Sequence, residues 1–280
     1  STDLTGRVVA TELGNRLGVP VVIENIGGAG GAIGAQKVAS AAPDGYTLLV
    51  GASNEIAINK LVTKKVKYDI KDFTAIGLVA SPPLVLVASP ASGVKNAADF
   101  IQLVSKNPGK YSYGSSGVGT SLHLAGEMLK SQGKLFMTHI PYRGVAPLTN
   151  DLMGNNLEYG VFVLSSGLPH IKSGKVIALG TTEATRSAAT PDIPAISESA
   201  QYKNVDIGVW FALMAPAHLP KPVFDKLKKA LNEALQAPEL RKKLESSGST
   251  VSSPSVNIDK FLAAEVAKYK QIVEFAKIEE

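Results

Sequence analysis

The stretch Tyr111-Ser112-Tyr113-Gly114-Ser115-Ser116-Gly117-Val118-Gly119-Thr120-Ser121-Leu122-His123-Leu124 passes from a short β pattern, through glycines and hydroxyl residues, into a helical one. It predicts a strand over 111–114 and a helix over 121–131. Working outward, the same alternation recurs: strand 84–88 and helix 97–106 before it, strand 138–141, helix 147–153, strand 157–164, helix 167–172 and strand 175–181 after it. Strands separated by helices imply sheets of mostly parallel strands covered by helices, so the fold class is α/β.

Upstream, Leu4, Val8, Leu13 and Leu17 follow helical spacing, and Gly18 suits the helix end. A strand is expected over 20–24. The run Gly27-Gly28-Ala29-Gly30-Gly31 then turns into a helix over 33–41, and Pro43-Asp44-Gly45 turns into a strand over 46–50. After a strand over 210–215 the pattern changes to two longer helices, with stripes at Val223, Leu227, Leu231, Leu235 and at Leu262, Val266, Tyr269, Val273. The chain begins inside a helical pattern without an initiator methionine, so an upstream piece is expected, bearing any targeting signal and a strand to pair beside 20–24.

The 280 residues are 45% hydrophobic and 19% charged, enough apolar content for one large core or two smaller ones. The net charge of +5 comes from 29 basic and 24 acidic residues with no long run of one sign, which argues against nucleic acid as a partner. Cysteine is absent, which excludes disulfides and thiolate chemistry. The four histidines, His123, His139, His170 and His218, are separated in sequence and none has H-x-x-x-H spacing, so no metal site and no cofactor are expected.

Several loops carry binding chemistry: 115–121, Arg143-Gly144, and the start Ser1-Thr2-Asp3. At the carboxyl end of a strand, a helix start offers free N–H groups and a positive dipole end to an anion, and small residues let backbone approach it. Catalytic readings fit less well. Gly114 to Val118 misses the G-x-S-x-G elbow at Val118, and Gly28 to Ile33 misses G-x-G-x-x-G at its last position.

Taken together, Val21-Val22-Ile23-Glu24-Asn25 with Gly28-Ala29-Gly30-Gly31, Ala42-Pro43-Asp44-Gly45-Tyr46, the loop 113–121 with His123-Leu124-Ala125-Gly126-Glu127, His139-Ile140-Pro141-Tyr142-Arg143-Gly144, Leu168-Pro169-His170-Ile171 and Trp210 to Pro216 resemble the receptors of tripartite tricarboxylate transporters, the Bug or TctC-type proteins. The resemblance spans nearly the whole chain. It implies a type II periplasmic binding-protein fold, with two α/β lobes joined by two crossover strands and closing on a ligand. One lobe would hold 1–85 and 212–280, the other 86–211.

The resemblance also implies a monomeric, non-catalytic receptor in the periplasm that binds a small organic or aromatic carboxylate and hands it to a membrane permease. Two alternatives stay open: an α/β transferase using Ser115 or His123, and a receptor lobe coupled to signalling. By resemblance the carboxylate is gripped by Thr2 and Asp3 in one lobe and by Ser115, Ser116, Gly119, Thr120 and Ser121 in the other. Further candidates are Ser53, Asn54, Ser81, Gly144 and Arg143, the last for a second carboxylate. Phe162 stands where relatives often carry an acid, and is expected to favour an apolar ligand body.

Overall fold

A computed structural model describes residues 2–279. In chain order, helix α1 (Thr2–Leu17) is followed by α2 (Ala32–Ala39), β1 (Leu49–Ala52), a π-helical turn Asn54–Ile58 that runs into α3 (Asn59–Val62), and β2 (Phe73–Ser81). Next come β3 (Leu84–Ala88), α4 (Ala97–Lys106), β4 (Ser112–Ser115), α5 (Ser121–Gly133), β5 (Thr138–Pro141), α6 (Val145–Met153), β6 (Tyr159–Val163), α7 (Leu164–Lys172) and β7 (Ile177–Thr181). The chain closes with β8 (Phe211–Pro216), α8 (Lys221–Ala234), α9 (Pro238–Ser246), β9 (Thr250–Val251) and α10 (Ile258–Ala276).

These elements form two compact units, 2–81 with 210–271, and 82–209 with 272–279. The chain leaves the first unit between Ser81 and Pro82 and returns between Val209 and Trp210, with α10 ending in the second unit. The boundaries expected at 85 and 212 lie a few residues from these, β3 falling wholly in the second unit, and 272–279, expected with the first lobe, group with the second unit.

The first unit holds a sheet of order β1-β8-β2-β9 in which every neighbouring pair is antiparallel. The expectation of mostly parallel strands therefore does not hold here. β8 is separated in sequence from β1 and β2 by residues 82–209 of the second unit, and it inserts between them in the opposite direction. All six of its residues are buried, as an inner strand covered on both faces requires. Leu231 of α8 packs over Gly77 of β2, where an added Cβ would lie 2.8 Å from its Cδ2.

The strand expected over 20–24 is absent. Residues 19–27 have no ladder partner among the described residues, and Val19 and Val22 are 55% and 82% exposed. β-branched residues favour extended backbone, but a strand exists only where a neighbour takes up its N–H and C=O groups. Conversely, β2 and α9 are not among the expected elements.

The second unit holds a sheet of order β5-β4-β6-β3-β7. β5, β4 and β6 are parallel, β3 runs against both β6 and β7, and so four of the five strands share one direction. β3 is buried along its full length, with Val85 and Val87 packed among Leu148, Leu152, Leu157, Phe162 and Leu164. On its other face Tyr159 meets Phe100 edge-on at 4.8 Å.

Candidate functional site

Because β4, β5 and β6 are parallel neighbours, the helices that follow them, α5, α6 and α7, all begin at one edge of this sheet. That edge is where an open α/β sheet binds ligands. α5 is capped by Thr120, whose Oγ1 accepts the His123 N–H at 3.3 Å and donates to Gly117 O at 2.9 Å. α6 starts at Gly144 (φ 101°) and α7 at Val163, neither with a side-chain cap. The loop before α6 is tied to the loop before α5, since Tyr142 N–H donates to Ser115 O at 3.0 Å.

Within the loop 115–121, alternate amides are committed inward. Gly117 N–H donates to Ser115 Oγ at 3.2 Å, and Gly119 N–H donates to His123 Nδ1 at 3.1 Å. Gly117 (φ 142°) and Gly119 (φ 72°) adopt the left-handed conformations that this arrangement needs. Between them, the N–H groups of Ser116 and Val118 and the Ser116 hydroxyl have no hydrogen-bond partner among the described residues. Of the expected site residues here, Ser115 is 0% exposed and Gly119 and Ser121 are buried. The loop's unpartnered donors thus include those of Ser116 and Val118.

Behind the loop lies a polar cluster that sequence separation concealed. His139 Nε2 lies 2.7 Å from Ser115 Oγ, and its ring stacks on that of His123 with centroids 3.7 Å apart and planes 9° apart. His123 Nε2 lies 3.8 Å from Glu127 Oε1, which accepts Tyr113 Oη–H at 2.7 Å and a Lys130 Nζ hydrogen at 3.0 Å. Burial pushes His123 down to about 4, against the pull of Glu127. Burial pushes His139 down to about 3, helped by His123 and Lys130. Both rings are neutral near pH 7.

Arg143 is exposed at the end of β5, and its guanidinium makes no ion pair or hydrogen bond with the described residues. Phe162 requires a correction. It is 0% exposed, packed in the core cluster, with an added Cβ on Gly167 lying 2.8 Å from its Cδ2, so it lines no ligand surface.

In the first unit, Thr2 opens α1, and Ser1 lies outside the described residues. The Asp3 carboxylate is occupied, accepting from Arg7 Nε at 3.0 Å and Asn25 Nδ2 at 2.7 Å, and these bonds hold its pKa below the usual carboxylate value. Ser53 follows β1 and precedes the π-helical turn, with its N–H donating to Trp210 O at 3.0 Å, and is 0% exposed. Asn54 begins the π-helical turn, and Ser81 ends β2 opposite Thr250.

Residues 5–278 match the family model described as the tripartite tricarboxylate transporter family receptor. The chain belongs to this family. Protein BugT of Bordetella pertussis is 31% identical over 98% of this chain and 84% of its own length. An R. palustris protein solved with adipate is similar at 28% identity, with a TM-score of 0.88 over 100% of this chain and 94% of that one. MatC from Rhodopseudomonas palustris, solved with bound malate, is similar at 28% identity, with a TM-score of 0.82 over 98% and 94%. The family consists of solute-binding receptors, so the enzymatic alternative falls, and the fold is that of a periplasmic binding protein. Among the described residues no helix is long and apolar enough to cross a membrane.

Proposed function

We propose that this tripartite tricarboxylate transporter receptor acts as a periplasmic monomer that captures a small organic carboxylate and delivers it to the transporter's membrane permease. The observation that carries the reading is the pair of unpartnered amides at Ser116 and Val118, in a glycine loop that opens α5. Such N–H groups at a helix start bind an anionic oxygen, and the helix dipole favours it. Thr120 and Ser121 shape this loop. Arg143 and Gly144 stand at the neighbouring helix start, where a guanidinium suits a second carboxylate. Thr2, Asp3, Ser53, Asn54 and Ser81 are the first unit's proposed share.

That relatives were solved with adipate and malate, both dicarboxylates, supports the ligand class. Loss of Phe162 from the ligand surface removes the reason to favour an aromatic body. Titration calorimetry with adipate, malate, hexanoate and glutamate tests the reading. One-to-one binding of a dicarboxylate recovered chemically unchanged is expected, and failure to bind any of the four overturns it. Delivery is tested by carboxylate uptake into vesicles holding the permease, which should require this protein.

A further inference from the structure

The loop that offers Ser116 and Val118 is held from behind by two imidazoles from different elements, His123 in the first turn of α5 and His139 in β5. Each secures one inward amide. His123 takes the Gly119 N–H directly on Nδ1. His139 acts through Ser115, whose Oγ receives the Gly117 N–H and lies 2.7 Å from Nε2. Ser115 has one hydroxyl proton and Gly117 O within 3.0 Å to accept it. Every group is satisfied when His139 donates Nε2–H to Oγ.

Rotation of either inward peptide would turn its neighbour with it, because consecutive amides in a tight loop share the torsions between them. We infer that His123 and His139 are positioning residues of the anion site, holding alternate amides inward so that those of Ser116 and Val118 remain for the carboxylate. This rests on the reading of the protein as a carboxylate receptor. Neither imidazole touches the ligand in this scheme. His123 must present an unprotonated Nδ1, so its proton sits on Nε2, beside Glu127.

The groups that face the stacked rings are Glu127 and Lys130 from α5 and Tyr113 from β4. Lys130 is paired with Glu127, so the surroundings are close to neutral and leave both rings uncharged. That is the state in which Nδ1 accepts an amide hydrogen.

The test compares His123→Leu, which removes the acceptor, with His123→Asn, whose side-chain oxygen can take the place of Nδ1. Affinity for adipate and malate is measured by calorimetry on both. His123→Leu should weaken binding by about tenfold, the effect of one lost backbone hydrogen bond, and His123→Asn should recover most of it. A merely structural role would track melting temperature and would not follow acceptor chemistry.

Nitrogen-15 spectra of the imidazoles in the unmodified protein give a second reading that needs no variant. The Nε2–H tautomer of His123 is expected at neutral pH, with and without adipate. An Nδ1–H tautomer overturns the inference, as does equal affinity of the leucine variant and the unmodified protein. If the unmodified protein binds neither acid, the receptor reading itself fails and takes the inference with it.

Discussion

The rings of His123 and His139 lie face to face, 3.7 Å between centroids, with Tyr113 against His139 and Glu127 beside His123. Burial and the neighbouring ring both disfavour protonation, so the stack favours a neutral charge state as well as a shape.

Stability should respond to pH through two opposed pairs of groups. Unfolded histidines titrate near 6.5, whereas burial holds these two at about 4 and about 3, so their contribution is present above 6.5 and is lost as pH falls toward 4. Desolvation raises Glu55 and Glu183 from 4.5 to about 7, so their contribution is present below 4.5 and is lost as pH rises through 7. Between about pH 5 and 6.5 the pairs offset each other, and a nearly flat unfolding free energy is expected by urea titration. Glu183→Gln removes one opposing group. Its stability should rise with pH across that window, by up to about 1.4 kcal/mol per unit. A flat curve for the variant would show that Glu183 is already ionised in the folded protein.

Gly126→Ala should destabilise the second unit even though alanine is the better helix former. An added Cβ would lie 2.0 Å from Tyr113 Cε2, and the ring cannot withdraw without losing its hydrogen bond to Glu127. A cost of about 1–3 kcal/mol is expected from overpacking, read by urea unfolding. Gly27→Ala is the control, with open space at its Cβ.

Phe162→Ala should cost about 3–5 kcal/mol, because the ring fills the core between β3, α6 and α7 and the cavity it leaves cannot collapse fully. Near-unchanged affinity for adipate at temperatures where the variant remains folded is the matching expectation. A specific loss of affinity without loss of stability would return Phe162 to the ligand surface.

Arg143→Gln separates the two ends of a ligand. A charge-assisted pair with a second carboxylate is worth roughly 1.5–3 kcal/mol, so adipate should bind about 10–150-fold more weakly to the variant. Hexanoate, with one carboxylate, should be unaffected. Equal losses for both acids in calorimetry would place Arg143 at the first carboxylate instead.

The sequence by itself determined the order of strands and helices in the second unit, the glycine and hydroxyl loop at 115–121, and membership of a receptor family. Burial periodicity and turn chemistry are local properties, written within a dozen residues of where they act. Only the tertiary structure decided that β8 inserts antiparallel between β1 and β2, because strand pairing joins segments whose own patterns do not name a partner. It also decided which way Phe162 points, since β6 is buried along almost its full length and alternation cannot tell one covered face from the other. The loop's internal hydrogen bonding was decided in the same way. Sequence offered Ser115, Ser116, Gly119, Thr120 and Ser121 together, and long-range packing brought His139 and His123 beside the loop, engaged Ser115 Oγ and the Gly119 amide, and left the donors of Ser116 and Val118 unpartnered.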